Sequence, residues 1–261
     1  MDDLAVETAR FMTNLRRRSA EENTSLNIIF RDEQRRFPNA ARNISGFISV
    51  KSSMARSRRL GTPPLPATLQ QFHQLILDQR WNSRYGCDLS PGNNQFYRTF
   101  LQCEDGSEAV IFCSETCLRH VREERIMMAH MDATFKVVPR TTHIYQLFTI
   151  HALYMDMTFP IVYALMTRKT RRLYECILTY LKNTLLPTVH IQSVMADYET
   201  ALSVAVVGIL PGTRLRGCWF HYTKALYKKS VALHLHNNDR TKKIVKMAMV
   251  LPLLPEDQFA N

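Results

Sequence analysis

The chain has 261 residues, of which 46% are apolar, and a formal net charge of +11. This length allows a sizeable buried core, built as one large domain or as one domain with an accessory segment. We expect neither a secreted nor a membrane-spanning protein, because no N-terminal apolar stretch resembles a signal peptide and no run of about 18 apolar residues is present. The six cysteines show no spacing typical of a disulfide framework, so reduced thiols in the cytosol or nucleus are expected.

The first part of the chain is predicted to be helical and basic. Residues 1–60 carry two arginine clusters, at 16–18 and 56–59, which are candidates for nuclear import or DNA contact. The proline-rich stretch 61–66 breaks the pattern and predicts a linker, after which a helical pattern resumes over 67–79. We therefore assign residues 1–85 to a helical, basic N-terminal segment.

From residue 95 onward the pattern changes to strands alternating with helices. The Asp-Gly pair at 105–106 predicts a hairpin turn between two β-prone runs, and Ser114 is predicted to be the N-cap of the helix that follows. Beyond that helix the order β-β-β-α-β-α-β-α is typical of a ribonuclease H-like fold, so the predicted class is α/β with a mixed sheet spanning residues 86–250. The predicted strands cover 95–102, 107–113, 126–132, 144–154, 159–166, 191–196 and 214–219, and the predicted helices cover 114–125, 173–186 and 200–210.

Two aspartates each close a short apolar run that is predicted to be a strand. Asp132 ends the run 126–131, and Asp197 ends the run 191–196. Carboxylates at the carboxyl ends of buried strands lie where open α/β sheets place their ligands and chemistry. Alternatively, both residues are ordinary turn or cap residues, since aspartate is favoured at both positions.

The positive charge is concentrated in one window near the C-terminal end. Residues 213–246 hold nine Lys and Arg residues against one acidic residue, Asp239. Neutralisation of phosphates by such residues dominates non-specific affinity for nucleic acids. Any one basic helix taken alone, however, is equally well explained as a helix with a solvated charged face. From this window we predict as DNA-binding residues Arg214, Arg216, Lys224, Lys228, Lys229, Lys242 and Lys243.

Three blocks occur in a characteristic order around these features. They are Asp132-Ala133-Thr134-Phe135, then Asp197-x-Glu199 before an alanine-rich helix, then Cys218-x-x-His221. In that order they resemble the catalytic domain of Mutator-like element (MULE) transposases, over roughly residues 90–255. The resemblance implies the ribonuclease H-like fold and DNA transposition, with Asp132, Asp197 and His221 at the catalytic site.

The resemblance also implies a divalent metal site and a further acidic ligand. Asp132 and Asp197 would hold Mg²⁺ or Mn²⁺ for two-metal phosphoryl transfer. In the family, the third carboxylate follows a helical insertion. Residues 251–261 resemble the beginning of that insertion. Neither Glu199, which is expected to start a helix, nor Glu256, in the terminal tail, is a convincing third ligand. We therefore expect a fragment, a decayed copy or a domesticated remnant that does not cleave DNA as it stands.

Cys218 and His221 have two readings. They could be half of a zinc site, which would need two more ligands from a set that includes His234, His236, Cys113, Cys117 and His120. Buried Cys and His more often serve packing, and we favour that reading over zinc. The resemblance implies that Cys218 packs at a strand end while His221 faces the aspartate pair.

Three functions therefore remain open from the sequence. The first is a MULE-type transposase core that cuts and joins DNA. The second is a transposon-derived DNA-binding or regulatory protein without catalysis, and the third is a structural or protein-interaction module. The first two imply duplex DNA as partner, a nuclear location and a possible homo-oligomer, with no membrane association.

Overall fold

The computed structural model describes residues 3–88, 94–138 and 143–255. The chain divides into two compact units, Met1–Leu65 and Pro66–Asn261, and the division falls in the segment 61–66 for which the sequence predicts a linker. The sequence-based boundary near residue 85 follows the change from helices to strands. The contacts instead group the helices between 69 and 85 with the strands that follow them.

The N-terminal unit is a small group of helices around an aromatic core. Phe11 contacts Phe30 and Phe37 edge to face, with ring centroids 5.9 and 6.3 Å apart, and Leu15 and Ile29 are fully buried beside them. The helices are α1 (Asp3–Glu21), α2 (Leu26–Arg36), α3 (Pro38–Arg42) and α4 (Phe47–Leu60).

Two arginines of the predicted basic clusters are used inside this unit. Arg18 is only 13% exposed and lies 2.8 Å from the fully buried carboxylate of Glu33, with a second ion pair to Glu22. Arg58 donates hydrogen bonds to three backbone carbonyls, the shortest being 2.6 Å to Thr24. Because buried charges need partners, these contacts indicate a structural role for both arginines, in place of the DNA or import role that the sequence suggests.

The second unit contains the sheet and the helices that flank it. Its strands are β1 (Tyr97–Gln102), β2 (Glu108–Phe112), β3 (Met128–Thr134), β4 (Gln146–Tyr154), β5 (Met157–Met166), β6 (Ser193–Ala196) and β7 (Arg214–Gly217). Its helices are α5 (Leu69–Leu77), α6 (Gln79–Tyr85), α7 (Glu115–Glu123), α8 (Arg171–Tyr180) with a π-helical turn (Leu181–Leu185), α9 (Thr200–Ile209), α10 (Trp219–Ala232) and α11 (Asp239–Val250), followed by a 3₁₀ turn (Leu251–Leu253). Among the described residues, no helix is long and apolar enough to cross a bilayer.

The seven strands form one mixed sheet in the order β1-β2-β5-β4-β3-β6-β7. Along this order, the four neighbouring pairs from β1 through β2, β5 and β4 to β3 are antiparallel. The pairs β3 with β6 and β6 with β7 are parallel. Parallel neighbours require crossover connections, which α8 and α9 provide. The predicted class, α/β with a mixed sheet, is therefore confirmed, and from β3 onward the elements follow the predicted order β-β-β-α-β-α-β-α.

One face of the sheet carries the main core. Alternate residues of β3 and β4, such as Met131 and Ile150, are buried there together with Leu118 of α7, Tyr174 of α8 and Leu202 of α9. On the opposite face, a smaller aromatic cluster under α5 covers β1, β2 and β5. The part of that second face formed by β3, β6 and β7 belongs to neither cluster, and the candidate site lies on it.

Candidate functional site

Three predicted site residues lie in a single row near the carboxyl ends of the three parallel strands. Met131, Ala196 and Gly217 are paired across β3, β6 and β7, so the next residue of each strand is Asp132, Asp197 and Cys218. The amide of Cys218 continues the ladder by donating to the carbonyl of Ala196 at 2.7 Å. Because neighbouring strands lie about 4.8 Å apart, residues far apart in sequence are brought together at one sheet edge.

A side chain closely approaches the backbone of Gly217 at this edge. The ring and hydroxyl of Tyr198 lie where a Cβ on Gly217 would be, so a larger residue would require the Tyr198 side chain to move. Tyr198 directly follows Asp197, and its ring also packs near Tyr222 of α10, with centroids 6.4 Å apart. The glycine thereby allows the turn after β6 to pack closely against the end of β7.

Asp132 and His221 face each other, as the resemblance implies. The Nε2 atom of His221 lies 3.7 Å from Oδ1 of Asp132, whose side chain remains 55% exposed. Within the described residues, Nδ1 of His221 is buried and has no hydrogen-bond partner. The first turn of α10, which begins directly after Cys218, positions the imidazole over the end of β3.

Two further histidines share this site, and the sequence patterns predicted no role for them. His130 and His151 are paired across β3 and β4, and they line a cleft of about 300 Å³ with Asp132, Cys218 and His221. Burial lowers the pKa of both histidines, and for His151 the neighbouring Asp132 carboxylate opposes this effect. The signal for His130 was available, since residues two apart on a strand share a face. His151 could be found only from the register of β3 with β4.

Asp197 is engaged in the turn that begins α9. Its Oδ1 accepts a hydrogen bond of 3.1 Å from the amide of Glu199, which is the N-cap residue of α9. Burial raises the pKa of Glu199, the positive charge of Lys169 opposes the rise, and the carboxylate of Asp197 adds to it. The sequence-based view of Glu199 as a helix-starting residue is confirmed, but one of its carboxyl oxygens is buried and, among the described residues, has no partner.

The matching family model covers this whole arrangement. Residues 128–225 match the model of the MULE transposase domain. The match supports a MULE transposase-type domain over this segment. The match begins at the first residue of β3 and ends within α10, so it includes Asp132, Asp197, Cys218 and His221. No curated protein matches the chain.

The transposase-type domain offers oxygen ligands suited to Mg²⁺ or Mn²⁺ at two positions. Asp132 is exposed, and Asp197 keeps one carboxyl oxygen outside the turn hydrogen bond to the amide of Glu199. Among the described residues, however, no group of three or more His, Cys, Asp or Glu side chains is arranged to hold a metal ion. Glu256, which the sequence does not favour as a third ligand, lies outside the described residues. The donor chemistry therefore fits two carboxylate ligands, and the rest of the coordination shell is not preorganised in this part of the chain.

Two predicted DNA-binding residues lie on the same face of the sheet as the site. Arg216 is paired with Met195, which is paired with His130, and paired residues of neighbouring strands point to the same side. Arg214, two residues earlier on β7, shares that face, and both arginines are exposed. Two positive charges therefore lie two strands away from β3, on the face that carries Asp132.

The helix after β7 extends this positive surface. Lys224 and Lys228 follow His221 at spacings of three and seven residues, which places the three side chains on one face of α10. Lys224 Nζ lies 5.7 Å from the ring centroid of the exposed Phe220. Lys229 is exposed on another side of α10. With a rise of about 1.5 Å per residue, the basic face extends about 10 Å from His221.

The remaining predicted DNA-binding lysines are on α11. Lys242 and Lys243 are both exposed, but Lys242 lies 3.0 Å from the carboxylate of Asp239. Helix α11 is attached to α10 by hydrogen bonds from Trp219 and Tyr222 to carbonyls near its C-terminal end, at 2.7 and 3.1 Å. These two lysines therefore belong to the same helical hairpin as Lys224 and Lys228, but not to the helix face that begins at His221.

Proposed function

We propose that the transposase-type domain binds duplex DNA and, once a third acidic ligand completes its site, cleaves and transfers DNA strands. The observation that carries the proposal is the row of Asp132, Asp197 and Cys218 near the carboxyl ends of three parallel strands, with His221 against Asp132. Carboxylates at such strand ends are suited to metal-assisted phosphoryl transfer. We also propose that the sheet from β5 to β7 is ribonuclease H-like.

Each residue has a distinct task in this proposal. Asp132 and Asp197 are the ligands that would hold Mg²⁺ or Mn²⁺, which would supply positive charge to the attacking and leaving oxygens. His221 orients the carboxylate of Asp132 and contacts the DNA phosphate beside it. Cys218 packs at the end of β7 and fixes the start of α10, which carries His221.

The basic surface provides the path for the DNA backbone. Arg214 and Arg216 lie on the sheet face of Asp132, and Lys224 and Lys228 continue from His221 along α10. Contacts of this kind are made to phosphates, so they position the duplex without reading its sequence. We propose binding with weak sequence preference, a nuclear location, and self-association as a further property to be tested.

The test is a nicking and strand-transfer assay on the purified chain with Mg²⁺ or Mn²⁺. The variants are Asp132→Asn and Asp197→Asn, and the matched control is Asp156→Asn in the exposed turn between β4 and β5. Activity that depends on the metal, is lost in both site variants and is kept in Asp156→Asn supports strand cleavage, and it would show that Glu199, Glu256 or a second copy of the chain supplies the third acidic ligand. Activity that survives either site substitution would refute the assignment of that residue.

A second candidate function is DNA binding without catalysis. It is favoured by one observation, that the described residues hold no group of three metal-binding side chains, because two-metal chemistry needs a preorganised ligand set. In this case the chain binds duplex DNA, produces no nicks, and binds equally well as Asp132→Asn or Asp197→Asn. Failure to bind DNA at all would reject both candidates and favour the structural module.

A further inference from the structure

Two cysteine thiols meet where the β1–β2 turn contacts α8, and β1 is four strands away from β3 in the sheet. Cys103 follows β1 in the hairpin turn, and Cys176 is in the middle of α8. Their sulfur atoms are 2.7 Å apart although the residues are 73 positions apart in sequence. That separation is only about 0.7 Å longer than a disulfide bond.

Other contacts hold the two thiols in this position independently. The turn residue Glu104 forms an ion pair of 2.7 Å with Arg172 of α8. The next residue, Asp105, accepts a hydrogen bond of 2.9 Å from the hydroxyl of Thr170, the N-cap residue of the same helix. The hairpin is thus attached to the N-terminal part of α8 without any bond between the sulfurs. Since a disulfide forms readily only where the backbone already holds the two side chains together, this arrangement is suited to one.

The two thiols differ in exposure. Cys103 is 7% exposed, and burial raises its pKa to about 12, so it remains protonated at neutral pH. Cys176 is partly exposed, and both residues line an open cleft of about 610 Å³ that an oxidant can enter. Reactivity toward oxidants follows thiolate character and access, so Cys176 is the thiol that reacts first.

We propose that Cys103 and Cys176 form a reversible disulfide when a peroxide oxidises Cys176, which cross-links the β1–β2 turn to α8. The Cys176 thiolate attacks one oxygen of hydrogen peroxide, the O–O bond breaks, and a sulfenic acid and hydroxide form. The sulfur of Cys103 then attacks the Cys176 sulfur, the S–O bond breaks, and the departing hydroxide takes the Cys103 proton as water. The hydroxide of the first step takes the proton that the Cys176 thiol released when it ionised, so the two thiols together lose two electrons and one peroxide is reduced to two waters.

The expected disulfide is of the regulatory type. Reducing compartments keep structural disulfides rare, but transient redox-sensing pairs occur in them, and a small dithiol reductant such as dithiothreitol reverses the bond by exchange. When formed, the bond holds the edge hairpin on α8 and restricts separation of the turn from the helix. It leaves Asp132, His221 and the basic face of α10 unchanged, because none of them contacts either cysteine.

The experiment uses the full chain, reduced, freed of reductant and treated with hydrogen peroxide. Free thiols are then alkylated and the peptides are mapped by mass spectrometry. We expect one new cross-linked pair, Cys103 with Cys176, the loss of two of the six free thiols, and recovery of both after dithiothreitol. Cys113→Ser, which removes another buried thiol, is the matched control and keeps the cross-link.

Two variants make the test decisive. Cys176→Ser should remove the cross-link and leave Cys103 as a free thiol. Cys103→Ser should stop the reaction at the sulfenic acid, which a dimedone adduct on Cys176 detects. The proposal is overturned if the peroxide-treated wild type, with its circular dichroism unchanged, retains both thiols, carries only sulfinic acid at Cys176, or joins either cysteine to a different one.

Discussion

Replacing Lys224 and Lys228 together with alanine tests the DNA path most directly. Both side chains are exposed on the face of α10 that begins at His221, and neither belongs to a core cluster, so their loss removes charge without removing buried contacts. Alanine also has the highest helix propensity, which keeps α10 intact. The double variant should therefore change the affinity for DNA and leave the free energy of unfolding nearly constant.

The expected size of the effect follows from counterion release. Each phosphate contact contributes about 0.9 to the slope of log affinity against log salt concentration, so two lost contacts flatten the slope by about 2. At 0.1 M salt the same two contacts correspond to roughly 60-fold weaker binding, and the difference nearly disappears toward 1 M. The loss should be the same for any duplex sequence, because phosphates carry no sequence information.

The assay is fluorescence anisotropy with two unrelated duplexes over a series of salt concentrations. The matched control removes two positive charges from α7 and the turn that follows it, as Arg119→Ala with Arg125→Ala, because α7 covers the opposite face of the sheet. The control should leave the slope close to the wild-type value. If the α10 variant keeps the wild-type slope, or if both variants flatten it equally, the DNA does not follow the face of α10.

Two other predictions concern stability. Glu33→Ala leaves the guanidinium of Arg18 without its buried partner, so urea unfolding of the N-terminal unit should show a loss of about 3 kcal/mol in the free energy of unfolding; this is the lower end of the usual range because Arg18 keeps its ion pair with Glu22. The control Glu21→Ala breaks only an exposed ion pair and should cost less than about 1 kcal/mol. Equal losses in the two variants would contradict the structural role of Arg18. The second prediction concerns Glu199, whose pKa is raised in the folded state. The protonated carboxyl therefore stabilises the fold below its ordinary pKa of 4.5, and this stability is lost as the pH rises through the raised pKa. Glu199→Gln cannot ionise, so its thermal midpoint should exceed that of the wild type at about pH 8 and match it at about pH 4; an equal difference at both pH values would show that ionisation is not involved.

Local sequence patterns predicted the strands that carry the acidic pair. Apolar runs ending in Asp132 and Asp197 indicated strand ends; β6 ends directly before Asp197, whereas β3 continues two residues beyond Asp132 to Thr134. The hairpin before α7 and the break near residue 61 were also predictable, because Asp-Gly and proline-rich stretches restrict the backbone locally. What the sequence could not specify was the partner of each side chain, as Arg18 illustrates, since it lies in a basic run but is paired with a buried carboxylate.

The sequence by itself determined the element order, the concentration of positive charge after residue 213 and the three blocks that identify the transposase-type segment. These features depend on neighbouring residues, on backbone preferences and on composition, which are all local to the chain. Only the tertiary structure decided that His130 and His151 join Asp132 in one cleft, that Arg216 shares its sheet face, and that Cys103 meets Cys176. Each of these contacts joins residues of different elements, and it depends on strand register and helix packing, which are determined by burial of the whole core.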